Sequence, residues 1–363
     1  MSSALVVGAG VVGASTAREL ALRGWDVTLA EQYTPGTVRS ASGGDTRLLR
    51  TAHGESEWYA ETARRARAAW LELESETGQR VFEQVGLAWF ARSADGFEAR
   101  SCRVLDSLGI PNDWLAPDDA RGLFPSLAVD DLEAVLFEPE AGVLHARRAT
   151  QLLVEDGGRH GVHLQSRRVT PDSDPPADVV VWACGPWLAG LFPGELDLRV
   201  TRRDVFFFGG DASWSGRPGF CDYDGAFYGH GDLAGLGVKI ASDAGATEID
   251  PDSVERLPSA ENRVEARAYA AARFPGLAAA PILGGRVCQY DLSADSHFVV
   301  DRHPGRESWW LAGGTSGHGF KHGPALGAYI ADCVEGRRLP ETFHALGPRS
   351  GDAGLRTAGA TSL

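Results

Sequence analysis

Ala4-Leu5-Val6-Val7-Gly8-Ala9-Gly10-Val11-Val12-Gly13 carries a short apolar run straight into a Gly-x-Gly-x-x-Gly turn. Ala14 to Arg23 has helical composition and apolar spacing, and Gly24 stops it. Trp25-Asp26-Val27-Thr28-Leu29-Ala30-Glu31 reads as a second strand, so the stretch predicts a βαβ opening. Each glycine has a task in such a unit. Gly8 permits the tight turn, Gly10 lets the main chain approach a pyrophosphate, and Gly13 lets helix and strand pack closely. The pyrophosphate sits at the helix N-terminus beside Val12, and Glu31 at the end of the second strand takes the ribose hydroxyls. An acid rather than a base at that position argues against a 2′-phosphate. The motif alone leaves NAD and FAD both open.

Outward from this unit, the segments of dinucleotide-binding character are not contiguous. Asp178-Val179-Val180-Val181-Trp182-Ala183-Cys184-Gly185 reads as another buried parallel strand, ending at Gly185, and Trp309-Trp310-Leu311-Ala312-Gly313-Gly314 as a last one. Helical patterning recurs at 57–77, 253–274 and 324–335. Between these, Leu198 to Ile240 is strand-like and aromatic, which suits a large antiparallel sheet with one covered face. The layout predicts an α/β protein in which a Rossmann-type domain (1–81, 144–197 and 283–346) is interleaved with a β-rich substrate domain (82–143 and 198–282). The Gly-, Ser-, Thr- and Ala-rich tail over 347–363 is expected to be disordered.

Composition narrows the partners. At 363 residues, one or two domains sharing an interface are expected. The net charge of −14 argues against nucleic acid or an anionic membrane surface. No apolar stretch approaches the roughly 20 residues a membrane helix needs. Met1-Ser2-Ser3 leads into the first strand with no basic leader. The five scattered cysteines form no Cys-x-x-Cys pair, so a metal site is not expected, and a cytoplasmic protein with reduced thiols is.

Of the 35 basic residues only two are lysine, Lys239 and Lys321, and both lie in Gly-rich, apolar surroundings. A compact ammonium fits where a broad, permanently charged guanidinium does not. Two arginines, Arg47 and Arg50, follow the turn Gly43-Gly44-Asp45-Thr46 and can reach one site, where arginine is the usual fork for a carboxylate. Three further runs stand out: Val287-Cys288-Gln289-Tyr290-Asp291, Asp295-Ser296-His297-Phe298-Val299-Val300-Asp301 and Gly313-Gly314-Thr315-Ser316-Gly317-His318-Gly319-Phe320-Lys321. The last is a glycine turn between strand and helix, whose N–H groups can face a ring carbonyl.

This ordered set resembles the monomeric sarcosine oxidase and N-methyltryptophan oxidase family of FAD-dependent amine oxidases, over nearly the whole chain from Leu5 to about Val334. The resemblance implies FAD as the cofactor, a small amine or amino acid and O2 as reactants, and a monomer. It implies a flavin thioether at Cys288, supported by Arg47. Arg50 and Lys321 correspond to the pair that holds the substrate carboxylate, Lys239 to the lysine that activates oxygen, and Tyr228 to a pocket tyrosine. Gly317, His318 and Gly319 fall on the turn that meets the flavin. The reaction implied is hydride removal from a carbon next to nitrogen, giving an imine, with O2 reduced to H2O2.

Two departures matter. Ser42 and Gly43 stand where the family often has paired histidines, and Asp243 where it has a histidine four residues after the oxygen-activating lysine. A carboxylate near the pocket disfavours an anionic substrate tail, so an amine larger or more basic than sarcosine is expected. The alternative is an FAD-dependent dehydrogenase or desaturase of a cyclic amine in specialised metabolism that uses O2 poorly.

Overall fold

The structure is a computed structural model and describes residues 1–245, 247–253, 255–349, 351 and 353–355. The opening forms as the periodicity predicts. β1 (Ser3–Val7) runs into α1 (Val11–Leu22), and β2 (Asp26–Glu31) returns parallel beside β1. β1 is buried on both faces, which is why it lacks the alternation of a half-exposed strand.

A six-stranded sheet grows around this unit, in the order Val299–His303, Arg306–Gly313, Val179–Trp182, β1, β2, His163–Ser166. All neighbours pair parallel except the first two, which form an antiparallel edge hairpin. The helix Gly323–Val334 packs against α1, with Gly327 close on Ser15 and Gly323 on Val11. Among the described residues no helix is long and apolar enough to cross a membrane.

A nine-stranded sheet forms the second layer, mostly antiparallel. Its spine is Leu198–Phe208, flanked by Val238–Ser242 on one side and Ile282–Ser293 on the other. Ile282–Ser293 is thus part of the large sheet, although the sequence reading sets a boundary at 283. The apolar face of this sheet is closed by the helix Ala260–Arg273, with Phe206, Phe208, Phe220 and Phe274 in one core. That helix starts later than the pattern at 253–274 predicts. Pro258 disfavours helical geometry at the residue before it, and Ser259 caps the real start by accepting from Asn262 N. A small three-stranded sheet (Thr46–Leu49, Gly142–His145, Phe82–Glu83) joins the two layers and carries Arg47.

The expected disordered tail falls partly outside the described residues, at 350, 352 and 356–363. Its described part folds back on the molecule. The Arg349 guanidinium donates to the carbonyls of Ala345, His297 and Phe298, Leu355 is fully buried, and its carbonyl accepts from Arg50 at 3.1 Å. Burial of one leucine and satisfaction of these donors hold a segment whose small-residue composition suggests disorder.

Candidate active site

The glycines of the first turn are fixed by their surroundings. Gly8 has φ of +103°, and a Cβ there would lie 2.5 Å from the Ala183 carbonyl oxygen. A Cβ on Gly13 would lie 1.9 Å from the Gly8 oxygen, so helix and strand touch main chain to main chain. Glu31 does more than the sequence reading gave it. One carboxylate oxygen accepts from Ala9 N and the other from Tyr33 N, each at 2.8 Å, so Glu31 also fixes the turn. The Ser42 hydroxyl accepts from Val11 N at 3.0 Å, at the positive end of α1.

Gly8, Gly10, Val12, Glu31, Ser42 and Gly185 line one cleft of about 380 Å3 that opens over the C-terminal ends of the parallel strands. Here an open α/β sheet takes a nucleotide. Gly-edged walls, a helix N-terminus and an acid at the end of β2 fit the adenine and pyrophosphate parts of FAD. Asp291, which sequence reasoning left without a role, reaches the same cleft and accepts from Thr315 N and the Thr315 hydroxyl. Burial raises its carboxyl above the usual range. Its signal was its place in the Cys-x-Tyr-Asp run.

A second cavity gathers Arg47, Arg50, Tyr228, Asp243, Gly317, His318 and Lys321, with Trp89, Cys221 and Tyr290. Arg50 lies 4.9 Å from the Trp89 ring centre and donates to the Ala52 carbonyl. Its segment is held from below by Glu138, which accepts from Thr51 N at 2.6 Å, from the Thr51 hydroxyl, and from Trp89 Nε1 at 2.8 Å. Lys321 Nζ donates to the His318 carbonyl at 2.6 Å, while Trp70 Nε1 donates to the Lys321 carbonyl at 2.9 Å. Loss of hydration, and then the nearby Arg50 charge, holds the Lys321 amine well below the usual lysine range. Gly319 lies on the turn behind this wall, where a Cβ would strike the Thr315 side chain at 2.3 Å.

Lys239 sits apart, 2% exposed. Its Nζ donates to the Thr46 carbonyl at 3.1 Å and hydroxyl at 3.3 Å, and lies 5.4 Å from the Tyr228 ring centre. Burial and then the neighbouring Arg47 push its amine down to about 7. The sequence reading missed two partners here. His230 Nδ1 faces the Gly231 carbonyl at 2.6 Å, which leaves Nε2 to accept from the Thr46 hydroxyl at 2.9 Å. Tyr290 shares a 2.9 Å hydroxyl contact with Tyr228. Both lysines are therefore buried, and neither ammonium points to solvent.

Cys288 lies half-buried on Ile282–Ser293, opposite Arg203, and the Arg47 guanidinium, which donates to the Thr46 and Ala41 carbonyls, is within electrostatic reach of it. Burial disfavours the Arg47 charge, but Cys288, Tyr228 and Tyr290 outweigh it and hold the guanidinium above its usual range. Asp243 lines the cavity as expected, and its oxygen lies 3.4 Å from Arg203 Nε. A buried guanidinium already answers that carboxylate, which weakens the repulsion of an anionic substrate inferred from sequence alone.

A cleft over the C-terminal ends of a parallel sheet, with a separate cationic pocket beside an antiparallel one, fits a cofactor-dependent enzyme. The profile of the FAD dependent oxidoreductase family matches residues 3–333, and the chain belongs to that family. It is 29% identical over 355 residues to monomeric sarcosine oxidase of Bacillus sp. (strain B-0618), covering 90% of each chain. It is 26% identical over 358 residues to N-methyl-L-tryptophan oxidase of Yersinia pestis (strain Pestoides F), covering 93% of this chain and 95% of that one. The solved L-proline dehydrogenase of P. horikoshii superposes with a TM-score of 0.81 at 21% identity, over 93% and 94% of the two chains, and so shares the fold.

Proposed function

We propose that this enzyme oxidises a C–N bond in a secondary amine or amino acid, gives an imine, and passes the electrons to O2 to form H2O2. The observation that carries the reading is the cavity itself. It places a buried guanidinium, Arg50, and a buried amine that an anion would protonate, Lys321, on an apolar wall beside Tyr228, which asks for an anionic group on a small organic molecule. The names of the relatives, a sarcosine oxidase and an N-methyl-L-tryptophan oxidase, agree with an amino acid carrying that anion. A monomer is the working assembly, in line with the name of the first relative, and the cytoplasm is the expected place on the sequence reading alone.

FAD, when bound, supplies the two-electron acceptor. The protein's own residues do the rest. Arg50 and Lys321 grip the carboxylate, and a carboxylate beside Lys321 draws a proton onto Nζ, because an opposite charge restores the ammonium that burial disfavours. Tyr228, fixed through its hydroxyl to Tyr290, limits where the amine can lie. Lys239, as an ammonium, offers positive charge where dioxygen gains its first electron. Cys288, in the field of Arg47, is the proposed thioether point for the flavin. Trp89, Leu48 and Cys221 give the cavity an apolar wall, and its volume of about 70 Å3 fits a compact substrate.

The test is an anaerobic panel of amines with and without a carboxylate, scored by flavin bleaching, followed by admission of air and a peroxide assay. Carboxylate-bearing secondary amines should bleach the flavin and release peroxide in step with turnover. Bleaching without peroxide identifies the dehydrogenase alternative, and no bleaching by any amine removes the reading.

A further inference from the structure

Behind the Lys321 wall lies a cluster of three histidines, of which His318 also borders the substrate cavity. His53, His318 and His322 each present one ring nitrogen to a common centre, and these atoms lie within 4.8 Å of one another. All three side chains are buried. His318 and His322 stand four residues apart on the turn that enters the short helix Phe320–His322, and His53 arrives from the loop after Arg50.

The hydrogen bonds aim the lone pairs. His53 Nδ1 lies 2.8 Å from the Thr51 carbonyl, which can only accept, so Nδ1 carries the proton and Nε2 is bare. His318 Nε2 lies 2.8 Å from the Ser296 carbonyl, so Nε2 carries the proton and Nδ1 does not. His53 Nε2 and both ring nitrogens of His322 have no hydrogen-bond partner among the described residues. Buried polar atoms are rarely left in that state without a ligand. An imidazole whose other N–H is held by a main-chain carbonyl is also how proteins orient metal ligands. The support reaches further back, since Glu138 fixes the Thr51 main chain that fixes His53.

We propose that His53, His318 and His322 form a binding site for one transition-metal dication of the zinc class. Imidazole donors alone select zinc, copper or nickel over magnesium or calcium. Three protein ligands leave one tetrahedral corner open. The Arg50 and Lys321 charges act on His53 and His322, so the ion enters together with an anion, hydroxide or carboxylate. The site is independent of the substrate reading, because it is defined by its ligands and not by turnover.

The experiment uses chelator-treated holoenzyme titrated with zinc sulfate by calorimetry, alongside His53→Gln and His322→Gln. One zinc per chain is expected, with affinity at least about 100-fold weaker in each variant, the upper end of what even a lost supporting group costs. Because a variant can fail to fold, the unaltered enzyme is also loaded with copper(II) and read by electron paramagnetic resonance, where the oxidised flavin is silent. Superhyperfine coupling to three nitrogens is expected. No saturable zinc binding, equal affinity in both folded variants, or a copper signal from a single nitrogen overturns the proposal.

Discussion

Lys239→Met removes the buried charge next to Thr46 while keeping the length of the side chain. The lysine is almost wholly shut from water, so its field is poorly screened. A unit charge acting on a new anion at ~5 Å, with an effective dielectric of about 20, contributes roughly 3 kcal/mol. That corresponds to a rate factor on the order of 200-fold. Reduction of the flavin by amine, which does not need this charge, should stay within about threefold. The pH dependence follows from the same residue. Its amine is pushed down to about 7, so the ammonium predominates below that pH and is lost above it. Reoxidation by air in the unaltered enzyme should therefore be fast at low pH and fall as pH rises through 7. Two units higher, where about 1% of the ammonium remains, it should approach the rate of the variant. The variant should show no such step. Stopped-flow mixing of prereduced enzyme with aerated buffer, from pH 6 to 9, reads both rates. A variant that reoxidises at the normal rate, or an unaltered enzyme with a flat profile across pH 7, refutes the role.

Cys288→Ser should release its flavin into the supernatant on acid precipitation, whereas the unaltered chain should keep it, with mass raised by one FAD. Gly13→Ala forces a Cβ to within 1.9 Å of the Gly8 oxygen. It should lower stability by about 2 kcal/mol or more through strain in a packed contact and yield protein with little bound flavin, as seen by its melting curve and absorbance. Glu138→Gln leaves Thr51 N and Trp89 Nε1 with a weaker acceptor. Hydrogen bonds to a charged group contribute roughly 1.5–3 kcal/mol, so KM for a carboxylate-bearing amine should rise several-fold as Arg50 loses its footing, with less change in kcat.

The sequence made the nucleotide half legible because its signals are local. The apolar run 4–7, the glycine spacing at 8, 10 and 13 and the acid at 31 all fall within one βαβ unit, where periodicity and main-chain sterics speak directly. The two lysines were legible through composition, since an arginine-rich chain had kept them in apolar surroundings. The partners of those lysines were not. Thr46 and His230, which align Lys239, are 184 residues apart and meet only because the small sheet abuts the large one. Arg203 and Asp243 meet across two paired strands, one of many arginine and acid combinations in the chain. His53 carries no motif of its own. For the tail, Gly, Ser and Thr content reports mean tendency, while one buried leucine and the carbonyls around Arg349 hold its described part.

The order of strands in the six-stranded sheet has a consequence for how the protein is made. β1 leaves the ribosome first, yet its neighbour at 179–182 and the next strand at 306–313 come much later. The apolar flank of β1 must wait until 179–182 has been made before it is covered, and such long-range parallel pairing closes slowly. A nascent chain in that state is exposed to aggregation. Slower elongation, or a holdase acting on the first third of the polypeptide, should raise the yield of native enzyme more than any change at its mature surface.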